Sequence, residues 1–170
     1  MTTTAPTDTA SPTVRQAVRA DLLAVFRIEQ ASFPQPWPYS AFEQFLSSPA
    51  FLVAEVDGPD EPGQSGIVGY IVADTVPNHG RPLGHVKDLA VHPDRRGEGV
   101  GTLLLGRALA VLDNLDVSSV KLEVRAGNER ARSLYERFGF RHLRTVPNYY
   151  DDGENALVLV RRGPPEHTVR

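Results

Sequence analysis

The chain contains no cysteine among its 170 residues. That absence excludes disulfides, a thiol nucleophile and every thiolate-based metal site. No apolar run approaches the roughly 18 residues that a membrane-spanning helix needs, so no such helix is expected. The first thirteen residues, MTTTAPTDTASPT, lack an apolar h-region and do not read as a secretory signal. Positive charge is not in excess: 18 Lys and Arg stand against 21 Asp and Glu, a formal net charge of −3. No global field therefore draws the protein to nucleic acid or to an anionic membrane. The five histidines (His79, His85, His92, His142, His167) show neither HxxxH nor HxH spacing, and no metal is expected. Internal repeats are missing too. The expectation from these absences is a soluble cytoplasmic protein that engages neither nucleic acid nor membrane.

What is present is ordinary globular composition, 41% hydrophobic and 23% charged, sized for one compact domain. The Thr/Pro/Ala/Ser-rich start predicts a disordered leader over 1–13, followed by one domain over 14–162 and a loose tail over 163–170. The stretch DGPDEPGQSG (57–66) reads as a turn-rich connector between two apolar runs.

Periodicity sets the elements. Val14 to Val18 suits a short strand. Asp21 is placed to cap a helix whose stripe is Leu22, Leu23, Val25, Phe26 and Ile28. FPQPWP (33–38) is a rigid, helix-free bridge, because proline resists helix and restricts the residue before it. Ser40 is a candidate cap for a second helix running to Leu46. FLVAEV (51–56) and IVGYIVADTV (67–76) predict a hairpin, and GHVKDLAVH (84–92) a further strand. From Val100, apolar residues at 104, 108, 111 and 115 predict a helix of about four turns. SVKLEV (119–124) is a strand. Asn128 then caps a helix with stripe Ala131, Leu134, Tyr135 and Phe138, ended by Gly139. FRHLRTV and NALVLVR close as two strands. The order β-α-α-β-β-β-α-β-α-β-β is mixed α/β, with antiparallel strands first and a βαβ crossover in the middle.

The most informative stretch is DRRGEGVGTLLL (94–105), where Gly97, Gly99 and Gly101 lie between a strand and a helix. Unpaired N–H groups at a helix N-terminus bind phosphate, and glycine lets the backbone approach the anion. Arg95 and Arg96 add positive charge. A tight turn with solvated arginines explains the same residues. Two familiar phosphate motifs fit poorly: a P-loop needs Lys-Ser/Thr after its last glycine, where Thr102-Leu103 stand, and a dinucleotide loop starting at Gly97 needs glycine at Thr102.

A third pattern, Arg/Gln-x-x-Gly-x-Gly/Ala, is met by Arg96-Gly97-Glu98-Gly99-Val100-Gly101. With it, LAVHPDRRGEGVGTLLL resembles the acetyl-CoA-binding core of the GNAT superfamily of N-acetyltransferases. LEVRAGNERARSLYERFGF and NYYDDGENALVL, preceded by IEQASFPQPWPYSAF, resemble the RimI-type branch. The similarity spans about residues 14 to 162. It implies the GNAT fold, a mixed sheet of about seven strands with helices on both faces. It also implies acetyl transfer to a protein N-terminal amine, typically an N-terminal alanine of a small-subunit ribosomal protein.

The resemblance further implies roles. Backbone amides of Gly97, Glu98, Gly99, Val100, Gly101 and Thr102, beside Arg96, would cradle the pyrophosphate of acetyl-CoA. Leu89, Ala90 and Val91 would run along the pantetheine, and Asn128 would cap its helix and also bond the cofactor. Glu123, on the wet face of SVKLEVR, takes the general-base position. Partial burial is expected to raise its pKa toward that of the amine. Tyr135, a core tyrosine by its place in the stripe, takes the general-acid position. Tyr149 and Tyr150, which otherwise read as loop packing, line the acceptor groove with Phe33 and Trp37. Direct attack with both substrates bound needs no covalent enzyme intermediate. Two other readings stay open. One is a small-amine acetyltransferase, favoured by Asp151, Asp152 and Glu154 near Tyr150. The other is a non-catalytic acetyl-CoA sensor, against which intact Glu123 and Tyr135 argue.

Overall fold

The computed structural model describes residues 11–57 and 65–163. Most of the expected leader, most of the expected tail and residues 58–64 of the connector lie outside the described residues. Thr13, assigned to the leader, already belongs to the first strand.

The elements are β1 (Thr13–Gln16), α1 (Leu22–Ser32), α2 (Tyr39–Gln44), β2 (Phe51–Glu55), β3 (Ile67–Val76), β4 (Leu83–Val91), α3 (Val100–Asn114), β5 (Ser119–Arg125), α4 (Glu129–Arg137), β6 (Arg141–Val146) and β7 (Ala156–Arg162). Their order is the order expected from periodicity. They form one seven-stranded sheet, β1-β2-β3-β4-β5-β7-β6. Every neighbouring pair is antiparallel except β4 and β5, which the α3 crossover joins in parallel. Among the described residues no helix is long and apolar enough to cross a membrane.

Helices cover both faces. On one, Leu22, Val25 and Ile28 of α1 and Phe42 of α2 pack on Phe51, Val53, Tyr70 and Val72. On the other, Leu104, Leu105, Ala108 and Leu112 of α3 pack on Leu52, Ile71 and Leu122. The buried stripe of α3 is broader than its predicted spacing and includes Leu105 and Leu109, because the helix lies flat on the sheet. Leu115 follows the helix end and is exposed. Leu23 likewise faces water rather than joining the α1 stripe.

Two expected caps are replaced. Asp21 makes no side-chain cap on α1; its carboxylate accepts from the Val18 N–H at 2.8 Å and pairs with Arg15 at 2.7 Å. Pro38, not Ser40, occupies the N-cap of α2, its extended backbone delivering the chain into the helix. Asn128 does cap α4, accepting from the Ala131 N–H at 3.2 Å, and Gly139 (φ 89°) ends that segment.

The site follows from one irregularity. Val72 faces Asp88 across the β3–β4 ladder while Ala73 faces Val86, so Lys87 is an extra, bulged residue. A bulge reverses which face later side chains take. Val86 accordingly packs in the α3 core and Ala90 in the α1–α2 core. The parallel ladder between β4 and β5 holds only at Gly84–Val120 and His85–Lys121. Past it the two strands part and leave a cleft.

Candidate active site

The glycine loop forms one side of the cleft. Gly97 (φ 81°) and Gly99 (φ 84°) adopt the left-handed backbone that only glycine takes without strain. Gly99 is the N-cap of α3, and its carbonyl accepts from the Leu103 N–H at 3.0 Å. A Cβ at Gly99 would meet nothing within 4 Å. The space before it is therefore open, as a backbone cradle for a ligand must be. Gly101 serves otherwise: a Cβ there would lie 3.6 Å from Leu134 and 3.7 Å from Val91, a close seam between α3, α4 and β4.

Arg96 braces the loop, its guanidinium donating to the Val91 carbonyl at 3.2 Å and to the Ser32 hydroxyl at 3.1 Å. The resulting cavity measures about 530 Å³. Every residue expected at the cofactor lines it except Glu98, whose side chain turns back to pair with Arg95. Arg130 and Arg137 of α4 line it as well. Sequence reasoning missed both, because nothing in a run of charged helical residues marks which arginines will face a loop thirty residues earlier.

A second cavity, of about 630 Å³, opens on the α1–α2 face. Phe33, Leu89, Asn128 and Tyr135 border both. Glu123 projects into it from β5, with Oε2 2.7 Å from His85 Nε2 and Oε1 3.8 Å from Lys121 Nζ. Lys87 Nζ stands 3.5 Å from the other His85 nitrogen. The hydrogen bond from His85 holds the Glu123 carboxyl below its ordinary value; burial opposes this, and the charges of Lys121 and Lys87 add to it. The expected upward shift is thus reversed. His85 was the missing term. The signal for it was the parallel register, which sets His85 beside Lys121 and so two residues from Glu123 on the same face.

Tyr135, from α4, is buried at the junction of the two cavities and packs edge-on against Phe140 with ring centroids 5.7 Å apart. Burial, then the nearby Asp88 and Tyr150, push its hydroxyl above the ordinary phenol range, so it remains a proton donor. Tyr150 lines the second cavity beneath the Arg125 guanidinium, 4.1 Å from its ring centroid. Burial is the main cause that pushes its hydroxyl up to about 12. Tyr149 does not line the cavity; it is exposed and rests edge-on against Tyr150. Phe33 and Trp37 supply the opposite wall, Trp37 packing on Phe42 and Phe45. Asp152 and Glu154 are both engaged by Arg125, at 2.8 and 3.0 Å.

Beneath that wall lie three residues absent from the sequence reading: Glu29, Tyr70 and Asp88. Tyr70 contacts both carboxyls, and Glu29 is almost wholly buried. The available signal was Glu29 itself, a charge at helical spacing from Leu22 and Val25 on the buried face. Among the described residues no group of three or more His, Asp or Glu is placed to hold a metal ion.

Comparison with known proteins shows the family and the fold. The model of the acetyltransferase (GNAT) family matches residues 22–140. An N-alpha-acetyltransferase of Sulfolobus acidocaldarius is 34% identical over 158 residues, covering 86% of this chain and 89% of its own. A putative [ribosomal protein bS18]-alanine N-acetyltransferase of Bacillus subtilis is 33% identical over 150 residues, covering 86% and 92%. The crystal structure of Ard1 from Thermoplasma volcanium superposes with a TM-score of 0.80 at 28% identity, over 91% of this chain and 99% of that one.

Proposed function

The chain belongs to the GNAT acetyltransferase family, and from that premise we propose that it transfers the acetyl group of acetyl-CoA to the N-terminal α-amine of a protein. The acceptor we favour is an N-terminal alanine of a ribosomal protein, the substrate named for the Bacillus subtilis relative, and the place of action the cytoplasm. The observation that carries the reading is Tyr135, which borders both cavities while Glu123 stands in the second alone.

The first cavity suits acetyl-CoA. The α3 N-terminus offers unpaired N–H groups and the positive end of its dipole to a pyrophosphate. Arg95, Arg96, Arg130 and Arg137 surround that position. The β5-facing edge of β4 past His85 has no strand partner among the described residues, so its backbone groups other than the Leu89 N–H, held by Asp88, and the Val91 carbonyl, held by Arg96, are open to a pantetheine arm. Acetyl-CoA supplies the activated acyl group. The protein supplies position and proton traffic.

An α-amine with a pKa near 8 arrives largely as ammonium at neutral pH. Glu123, held anionic by His85, draws that ammonium and accepts an N–H from it. The low pKa makes Glu123 a better orienting anion than a strong base. The proton that leaves the nitrogen passes to the Glu123 carboxylate, directly or through water. Tyr135 retains its proton until sulfur departs and then donates it. No nucleophile of the enzyme is needed, and no cysteine exists to serve as one.

The small-amine alternative loses its main support. Asp152 and Glu154, two of the three acids that favoured it, are paired with Arg125 rather than free to bind a polycation. The deciding experiment is mass spectrometry on three acceptors: an Ala-starting peptide, the same peptide with a blocked N-terminus and a free internal lysine, and spermidine. The reading expects α-amine acetylation of the first alone. Efficient modification of the blocked peptide or of spermidine overturns it while leaving acetyl transfer intact.

A further inference from the structure

The carboxyls of Glu29 and Asp88 converge on one phenol. Tyr70 Oη lies within hydrogen-bond reach of Glu29 Oε2 and 3.1 Å from Asp88 Oδ2. The outer oxygens are also committed. Glu29 Oε1 accepts from the Trp37 backbone N–H at 3.0 Å, and Asp88 Oδ1 accepts from the Leu89 N–H at 3.0 Å. One end of the cluster is thus the wall of the acceptor cavity. The other is the strand that borders the glycine-loop cavity.

The proton count of this cluster does not close with both carboxyls ionised. A carboxylate only accepts, and a phenol has one proton to give. Two carboxylates would leave lone pair facing lone pair across one of the two contacts, in a setting that water reaches poorly. We propose that Asp88 carries a carboxylic proton and that Asp88, Tyr70 and Glu29 are positioning residues of the acceptor cavity. Asp88 donates to Tyr70, Tyr70 donates to Glu29, and Glu29 accepts from the Trp37 backbone N–H. The Trp37 wall is then tied to β4 beside Leu89 by a chain that a single proton completes.

Burial first, then the neighbouring Glu29, raise the Asp88 carboxyl well above its ordinary value. The direction of the pH effect follows. A carboxyl whose folded pKa is raised keeps its proton below that value, and the clamp's contribution is lost as pH rises through it. Other charged or titratable groups face the same cavity: Lys87 from β4, Glu123 and Arg125 from β5, Tyr135 from α4, and Tyr150 and Glu154 from the loop before β7. The cations favour loss of the proton and the acids favour its retention. Replacing Asp88 alone leaves all of them in place.

The consequence for catalysis rests on the acetyltransferase reading, but the clamp does not, and its test needs no acetyl transfer. Trp37 is the chain's single tryptophan, so intrinsic fluorescence reports the wall directly. Titrated from about pH 5 to about pH 9, the wild-type protein should show a transition above the ordinary carboxylate range. Asp88→Asn, whose amide still donates to Tyr70, should abolish it. The same transition persisting in Asp88→Asn overturns the proposal. In steady-state acetylation, Tyr70→Phe should raise the acceptor KM roughly tenfold or more, leaving kcat and acetyl-CoA affinity near wild type. An unchanged acceptor KM in a folded Tyr70→Phe protein overturns it equally, and should that variant not fold, the Asp88→Asn titration decides alone. A clamp that titrates as expected in a protein that modifies no N-terminus would sink the proposed function instead.

Discussion

Glu123 on β5 and His85 on β4 sit 2.7 Å apart, Glu123 lying two residues past the last paired position, His85–Lys121, of the parallel strands. The contact is what sets the charge of the site. Burial alone would lift the carboxyl, and the hydrogen bond from His85 overrides it. Because the folded pKa is depressed, the pair's stabilisation is present above the unfolded carboxylate pKa and lost as pH falls through the folded value. His85→Ala should reverse the balance. Carbonyl-carbon NMR of Glu123 should then titrate higher than in wild type, with burial opposed only by the charges of Lys121 and Lys87.

The same contact bears on rate. Glu123→Gln keeps size and removes the anion. It should lower kcat/KM by about 10²–10⁴-fold near neutral pH, with the deficit narrowing as alkaline pH supplies the free amine unaided. Stopped assays across the pH range check both parts. A deficit that does not change with pH would mean that Glu123 orients the acceptor without relieving its proton.

In the proposed reading Gly99 belongs to the phosphate cradle. Its φ of 84° is strained for a β-branched residue, and a side chain there would enter the open space that the reading gives to the pyrophosphate. Gly99→Val should weaken acetyl-CoA binding by at least an order of magnitude, roughly the effect of losing one to two backbone hydrogen bonds to a charged group. Calorimetry on the folded variant measures it. Gly106→Ala, further along α3, whose Cβ meets only ordinary contacts with Phe138, is the control and should bind near wild type.

Much of this molecule was readable before its structure. The eleven elements came in the expected order because strand and helix periods differ and the caps Asn128 and Gly139 mark one helix cleanly. The glycine loop was legible because left-handed backbone and close approach demand one residue type. What escaped was set by contacts distant in sequence. The bulge at Lys87 decides that Asp88 faces Tyr70, yet no residue of HVKDLAV announces it. His85 read as an isolated histidine until β5 was laid beside β4. Asp21 looked like a cap, but Arg15, six residues earlier, offers its carboxylate two charged hydrogen bonds.

Arg125 offsets two carboxylates of the loop beside the second cavity. Its guanidinium covers the Tyr150 ring and binds Asp152 and Glu154 together. Arg125→Met preserves length and releases both carboxylates. Spermidine acetylation should then rise about threefold or more relative to the Ala-starting peptide, and added salt should screen the gain. Competition between the two acceptors, followed by mass spectrometry, measures the ratio.

Tyr135 separates fold from chemistry most sharply. Its ring fills the α4 stripe and packs against Phe140, so Tyr135→Phe keeps every apolar contact. The hydroxyl, raised above the phenol range by burial, stays protonated at any working pH, as the proposed donor to the leaving sulfur must. The variant should therefore melt near wild type and bind acetyl-CoA as tightly. Its single-turnover rate should fall by about 10²–10⁴-fold if proton donation limits the step. A better leaving group needs less help, so an acetyl thioester of lower thiol pKa should recover part of the loss in Tyr135→Phe and gain little in wild type. Equal gains in both proteins would assign the hydroxyl to packing, and the departing thiolate would have to find its proton elsewhere in the cavity.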